Sequence, residues 1–527
     1  MEIEGQVIII DMKDMLERSR WQKRNGSRVY CPFLYLMCSV DLLIVIWLYS
    51  AEISGNDFWW HVKTGEWIMQ HGYIPVSDVF SWLSSSGGLA WTPHEWCAEI
   101  IFYVLYHFLG EAGIFICIVL IAMLLNFFSL LLWRREMERN NLFWGIYFIY
   151  SAFLTRLFCV GRPQIFSFCF LLAEVALLYR FIDNSESKGI YWIPLIAVFW
   201  SNFHGGSSNL SYFLVFMVLV CNCFSFSFGR LESKRFSTKS LMRLGIVFAA
   251  TVLGIFVNPV GWKIFLYPYE QMGKDIMLKC ISEWFAPDVK NLMQLCLLFG
   301  PVFLTVVSVI LSEKKIRMVD FCFMLFFTYL FFRSVRFIAF YILVAPFWVS
   351  HYTVDNVSGR KKSSEKYQRL NFVFCMTVII LALAGTGVGV CEMYSNITGN
   401  TVISKVLTEE MLEIVKQENP KRLFNDYDYG GDLIFEGIPV FYDGRADIYV
   451  ETDVFIEGNS LMQLRWIDNR DENFEPQELL KKYQFDGILI NKERPFSVYL
   501  NSHPEQFEKV AERGTAVYYR VCPGTDI

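Results

Sequence analysis

The stretch DFWWHVKTGEWI, Asp57 to Ile68, holds three tryptophans and a histidine in twelve residues and is followed by Gly72. An acid just before such a run and a glycine just after it are the start and stop signals of a helix. Aromatic side chains at this density belong where one face meets lipid and the other water, so the run predicts a helix along a membrane surface. Asp57 would stand at its N-cap, with His61 four residues on and facing the same side. The run lies in a loop, 51–112, that carries one lysine, Lys63, and no arginine. A second helix of this loop is predicted to start near His94-Glu95 and to carry Trp96, Ile100, Ile101, Val104, Leu105 and Phe108.

The rest of the chain agrees with a membrane setting. It has 527 residues, 54% hydrophobic and 19% charged, with a mean hydropathy of +0.35, proportions that exclude an ordinary soluble reading. Eleven apolar segments are candidate spans: 30–50, 113–133, 142–160, 164–183, 190–203, 208–229, 242–257, 291–312, 317–333, 336–350 and 370–391. Alternate connections are basic: Arg134-Arg135, then Arg180 with Lys188, then Arg230, Lys234, Arg235 and Lys239, then Lys314-Lys315 with Arg317, and finally Arg360 to Lys366. Those connections belong inside, which places the 1–29 tail in the cytoplasm and the 51–112 and 258–290 loops outside. Residues 392–527 hold 25 acids against 14 Lys and Arg, so that part is charged −11 and the remainder +6. The split predicts an acidic C-terminal domain in an external aqueous compartment. No basic domain is left that would neutralise phosphates along nucleic acid. The 14 cysteines sit mostly alone in apolar runs and read as small buried hydrophobes, without zinc-site spacing.

The run at Asp57, followed by Thr64-Gly65, Ile74-Pro75, Asp78 to Ser81, Trp91 and His94-Glu95-Trp96, resembles the first outer loop of bacterial polytopic glycosyltransferases of the GT-C superfamily, relatives of the protein mannosyltransferases. The resemblance continues through Gly161-Arg162-Pro163-Gln164, Trp200 to Gly206, Asn258-Pro259, Glu283-Trp284 and Arg336-Phe337 to Asn425-Asp426-Tyr427, Gly430-Gly431 and Asp443-Gly444-Arg445. It implies sugar transfer on the outer face of a cell membrane from a polyprenyl-phosphate-linked donor to a cell-envelope glycan, lipid or protein. It also implies that an acid of the first outer loop is the base, in some members with a divalent metal such as magnesium or manganese. Related loops carry a further acid two residues before the position of Asp57, where this chain has Gly55.

Such a transfer needs a carboxylate to take a hydroxyl proton and positive groups to receive the departing phosphate. Asp57 is the first candidate base, with helix capping as its plain alternative. Asp78 and Glu95 are further carboxylates of the same loop, with a turn and a first-turn helix acid as their alternatives. His61, His94, Asn202 and Glu283 are candidate substrate contacts. His204, beside Gly205-Gly206 at a span end, can donate to a phosphate. Arg162, Arg333 and Arg336 sit at expected outer span ends, where a forked, permanently charged donor suits a phosphate and snorkelling is the bland reading. Arg156 and Glu174 fall inside spans and are expected to pair.

The C-terminal part predicts a small α/β unit: helices at 402–418, 475–483 and 504–513, and strands near 421–425, 433–435, 439–442, 487–491 and 516–521, with a turn at Gly430-Gly431. The fold class expected is thus an α-helical polytopic membrane protein of about eleven spans with a small extracytoplasmic α/β domain. A polar-lipid transporter and a non-catalytic membrane scaffold are the competing functions; the absence of evident internal repeats weighs against the first.

Overall fold

The computed structural model of the chain describes residues 53–54, 57–86, 88–139, 158–272, 280–292, 298–358, 403–468 and 473–522, with isolated residues and short gaps between them. The 1–29 tail, the candidate spans 30–50 and 370–391, most of 142–160, Arg156 and the Arg360 to Lys366 loop lie outside the described residues.

The aromatic run forms helix α1, Phe58–His71, closed by Gly72 at φ 73°, whose N–H bonds the Ile68 carbonyl. It is not the surface helix expected. Phe58, Trp59, Trp60, His61, Val62, Thr64, Gly65 and Ile68 are buried, because α1 lies between helix α2, Trp96–Arg139, and the C-terminal domain. Trp59 meets Tyr106 of α2 at 5.9 Å and Phe435 of that domain at 4.7 Å between ring centroids. The crossing is close because residue 65 is glycine: a Cβ there would fall against the Glu99 carbonyl oxygen. Helix α2 joins two elements read as separate, the loop helix starting near His94 and the span 113–133. They form one rod interrupted at Gly110, whose φ of 60° and ψ of −154° break the helical path.

Further helices are α3, Gln164–Asp183; α4, Ile193–Phe203; α5, Asn209–Cys221; α6, Thr238–Ile255; α7, Lys263–Met272; α8, Gly300–Leu311; α9, Met318–Arg333; and α10, Ile338–Ser358. Among the described residues, four helical stretches are long and apolar enough to cross a membrane: Trp96–Ser129, Gln164–Asp183, Thr238–Ile255 and Val335–Thr353; Gly189–Phe203, Gly205–Cys221 and Gly300–Leu311 are shorter apolar stretches. The helices share one apolar core, in which Phe168, Trp200, Phe327 and Trp348 are buried. At one end of α9 and α10, Asp320 accepts hydrogen bonds from Tyr179, Tyr352 and Arg317, so this buried acid is fully partnered.

The C-terminal domain has strands β1, Leu423–Asn425; β2, Gly487–Asn491; β3, Phe507–Arg513; and β4, Ala516–Val521, in the order β1-β2-β4-β3. The first pair is parallel and the others antiparallel. Helices Glu409–Glu418 and Pro476–Tyr483 accompany the sheet. Three expectations change. Of the residues 504–513 expected as a helix, Phe507–Arg513 form β3, since Gly514 at φ 59° turns the chain back into a hairpin with β4. Residues 430–435 form a short helix, not a strand after a turn. Gly430 serves close approach, as a Cβ there would be 2.4 Å from that of Asp443. Residues 439–442 are extended without a strand, and Val440 makes an isolated bridge to Ser81 of the outer loop.

That bridge belongs to a wider junction. Trp91 is buried in the same apolar cluster as Phe441, Tyr449 and Ile488, while Val79, Phe80 and Trp82 pack against it. Trp60 shares a cluster with Leu433 and Tyr518. Ile53–Ser54 pairs in parallel with Ile403–Ser404. The 51–112 stretch supplies part of the C-terminal core.

Candidate active site

Where α1, the starts of α2 and α3, the 204–207 turn and the C-terminal domain meet, a cavity of about 450 Å³ opens. Asp57 occupies the N-cap position of α1 but makes no side-chain cap bond. Its Oδ2 lies instead 2.7 Å from Arg162, which also pairs with Glu283. The plain alternative for Asp57, capping, is therefore not what its carboxylate does. Arg162 precedes α3, with Pro163 at the helix N-cap, so its guanidinium is held at the cavity wall between two acids.

Glu95 lines the same space. Its Oε1 lies 3.4 Å from His204 Nε2 and 3.8 Å from His94 Nε2, and its Oε2 is 3.8 Å from His61 Nδ1. His61 Nδ1 is also 3.2 Å from Glu99 Oε1. Burial pushes the Glu95 carboxyl above its ordinary value, against the opposing pull of His94 and Arg336. Burial lowers His61 and His204 well below the ordinary imidazole value, with Arg162 adding to the effect at His61 and Arg336 at His204.

His204 ends α4 and is 2% exposed. Its Nε2 lies 3.3 Å from Arg336 Nη2. A guanidinium can only donate, so Nε2 accepts and Nδ1 carries the proton, which faces Ser167 Oγ at 2.7 Å and Ser207 Oγ at 2.9 Å. Arg336 also lies over the Trp284 ring at 5.5 Å, and its backbone N–H is held by Ser334 Oγ. This arginine is fixed in direction before any ligand arrives.

The cavity thus gathers eight of the candidates: Asp57, His61, His94, Glu95, Arg162, His204, Glu283 and Arg336. Three are placed elsewhere. Asp78 is buried and pairs with Arg445 at 2.7 Å, while accepting from the backbone N–H groups of Phe80 and Ser81 and from Ser84 Oγ. Although burial works the other way, Arg445 and these donors lower its pKa, so it is a structural anion. Asn202 accepts from Trp96 Nε1 and donates to the Val257 carbonyl, fastening α4 to its neighbours. Arg333 ends α9 and does not line the cavity, whereas Arg336, one 3-10 turn later, does.

The sequence reading missed Glu99 and Asp447. Glu99 had a usable signal: an acid four residues after Glu95, inside an apolar helical run, shares its face. Asp447 had none. It lines the cavity from the C-terminal domain, bonds the Tyr267 hydroxyl, and is raised by burial. From the same domain Gly444 abuts Asp57, close enough that a Cβ would collide with Oδ1.

The chain thus joins a helical bundle to a C-terminal α/β domain, with a polar cavity lined by both. No family model matches the chain, and no curated protein does. Among solved structures it is similar to the Archaeoglobus fulgidus oligosaccharyltransferase in the apo form, with a TM-score of 0.53 and 11% identity over 89% of this chain and 70% of that one. The same oligosaccharyltransferase tethered through a disulfide to an acceptor peptide containing the NVT sequon gives 0.51 and 11%, over 88% and 70%. ArnT from Cupriavidus metallidurans bound to undecaprenyl phosphate gives 0.44 and 13%, over 94% and 98%. At these identities the likeness to the oligosaccharyltransferase is one of fold alone.

Proposed function

We propose that the protein is a GT-C type glycosyltransferase that moves a sugar from a polyprenyl-phosphate-linked donor to a hydroxyl of an extracytoplasmic acceptor, a cell-envelope glycan, lipid or protein, with Asp57 as general base. The observation that carries this reading is the convergence of Asp57, Arg162, Glu283 and Arg336 on one cavity between the helices and the C-terminal domain. The oligosaccharyltransferase of the same fold has been caught with its acceptor peptide, which supports a transfer reading over a scaffold.

In the proposed step the acceptor oxygen attacks the anomeric carbon, its proton passes to Asp57, and the bond to the phosphate oxygen breaks with its electron pair leaving on the phosphate. Arg336, positioned by Trp284 and Ser334, receives that charge. Arg162 holds Asp57 until a phosphate competes for the same guanidinium, and that exchange frees the carboxylate for the proton. Among the described residues the Trp60 indole N–H has no acceptor, and it stands beside Asp57 and Gly444; a sugar or acceptor oxygen would satisfy it. The cavity faces outward in this reading, as the charge alternation of the loops requires.

Purified protein in lipid, given a polyprenyl-phosphate sugar and scored by released carrier, tests the chemistry. Asp57→Asn is expected to lose about 100- to 10,000-fold in turnover, the usual worth of a general base, while still binding donor. Arg336→Ala should instead shift the dependence on lipid concentration. Near-normal turnover of Asp57→Asn would retire Asp57 and leave Glu95 and Glu99 as the cavity's remaining acids from the 51–112 stretch. Orientation is read separately with an impermeant thiol reagent on single cysteines in 425–445: reaction before permeabilisation is expected, and reaction only afterwards reverses the topology.

A further inference from the structure

The resemblance raised a divalent metal beside Asp57, but the cationic place there is filled by Arg162, which pairs with both Asp57 and Glu283. One helical turn further along α1 the charge balance is different. His61, Glu95 and Glu99 are buried at 2%, 8% and 1% exposure, and their donor atoms all lie within 4.8 Å of one another. Among the described residues the ion pairs of Glu95 and Glu99 are with imidazoles alone. Glu99 Oε2 has no hydrogen-bond partner among the described residues, although Glu99 lines the cavity. A buried carboxylate oxygen left without a donor is costly, and a ligand that satisfies it is the direct remedy.

We propose that His61 Nδ1, Glu95 and Glu99 hold one divalent cation of the zinc or manganese class in the floor of the cavity.

The spacing supports this. Four donors at about 2.0–2.1 Å from a tetrahedral ion are about 3.3 Å apart, and His61 Nδ1 stands 3.2 Å from Glu99 Oε1 and 3.8 Å from Glu95 Oε2. Three protein ligands leave a fourth position open toward the cavity, the arrangement of a catalytic metal and not of a closed structural one. The imidazole favours zinc over magnesium or calcium, and the two carboxylates admit manganese. His204, anchored on Ser167 and Ser207, packs beside the donor set, its Nε2 3.4 Å from Glu95 Oε1. Gly65 is what allows the donors to meet, since it lets α1 approach the Glu99 turn of α2. The inference deepens the transferase reading, in which such an ion would draw a phosphate oxygen into the cavity, yet it stands on the donor set and is tested without turnover.

Full-length protein in lipid nanodiscs, stripped with a chelator, is titrated with Zn²⁺, Mn²⁺ and Co²⁺, read by elemental analysis and, for Co²⁺, by visible absorption. One ion per chain is expected, with an absorption spectrum of a four- or five-coordinate site. Glu99→Gln and His61→Ala should each weaken binding by more than the roughly 10- to 100-fold that follows loss of an outer-shell partner, and their unfolding temperatures in metal-free buffer show that they fold. Asp57→Asn should bind as the parent does. Failure of the stripped parent to take up any of the three ions overturns the proposal, as does unchanged affinity in Glu99→Gln. Loss of binding in Asp57→Asn alone would move the metal to Asp57, overturning the site while leaving the transferase reading intact. Bound metal with no sugar transfer would do the reverse.

Discussion

At the scale of single residues, tertiary partners decide what an acid does. Asp57 has the sequence position of a helix cap, and a cap is worth at most about 2 kcal/mol. The structure gives its carboxylate a guanidinium at 2.7 Å instead, and the N-cap residue sits in helical backbone geometry that aims the side chain away from the first turn. Asp432 shows the same dependence with a pH consequence. It is 1% exposed, and Oδ2 accepts from the Leu407 N–H. Burial raises its pKa from 3.8 to about 7. The folded domain therefore holds a proton that the unfolded chain gives up, and its stabilising effect is greatest below 3.8 and falls as pH climbs to about 7, by about 1.4 kcal/mol per unit. Hydrogen exchange of the 430–435 amides in the whole protein, corrected for the intrinsic rate, should lose protection between pH 5 and pH 8. In Asp432→Asn, which keeps the acceptor for Leu407, it should not. Equal pH slopes in the two proteins would show that Asp432 does not titrate in this range.

At the scale of elements, glycines set the approach distances that build the site. Gly65 lets α1 cross α2, and Gly444 brings the C-terminal domain against Asp57. Neither has a positive φ, so their role is the missing side chain and not an unusual backbone. Gly444→Ala is expected to displace the Asp57 carboxylate and reduce turnover by roughly 100-fold, the cost of about an ångström at a reacting group, with little change in unfolding temperature. Unaltered turnover would mean that this segment stands off from Asp57 in the working enzyme. Elements were legible where their signals were local, as with Asp57 and Gly72 around α1. The hairpin at 507–521 was only half legible: FEKVAER has a mixture of apolar and charged residues that suits a short helix, and only pairing with β4 makes it a strand.

At the scale of the molecule, the outer loop and the C-terminal domain are tied by one buried cation. Arg445 is 2% exposed and lies between the Phe80 and Trp91 rings, at 5.0 and 4.7 Å from their centroids. It pairs with Asp443 of its own domain at 2.6 Å and with Asp78 of the outer loop at 2.7 Å. Arg445→Met leaves two buried carboxylates without a cation, at a cost of about 3–5 kcal/mol. The change should lower the unfolding temperature and expose the 73–95 segment to protease. Arg445→Met combined with Asp78→Asn and Asp443→Asn should recover part of that loss. Cleavage in 73–95 no faster than in the parent would show that apolar packing alone fastens the loop.

The sequence by itself determined the membrane character, the acidic C-terminal unit, the start and end of α1 and most of the cavity's charged groups, because hydropathy, charge balance and helix punctuation act over a few neighbouring residues. It contained Asp78 and Glu95 as near-equal acids of one loop. Only the tertiary structure decided that Glu95 faces the cavity among three imidazoles while Asp78 is neutralised by an arginine 367 positions away. The same holds for Glu99, Asp447 and Gly444. Their roles depend on which surfaces come within a few ångströms, and the energies that select those contacts, burial and ion pairing between distant segments, leave no periodic trace along the chain.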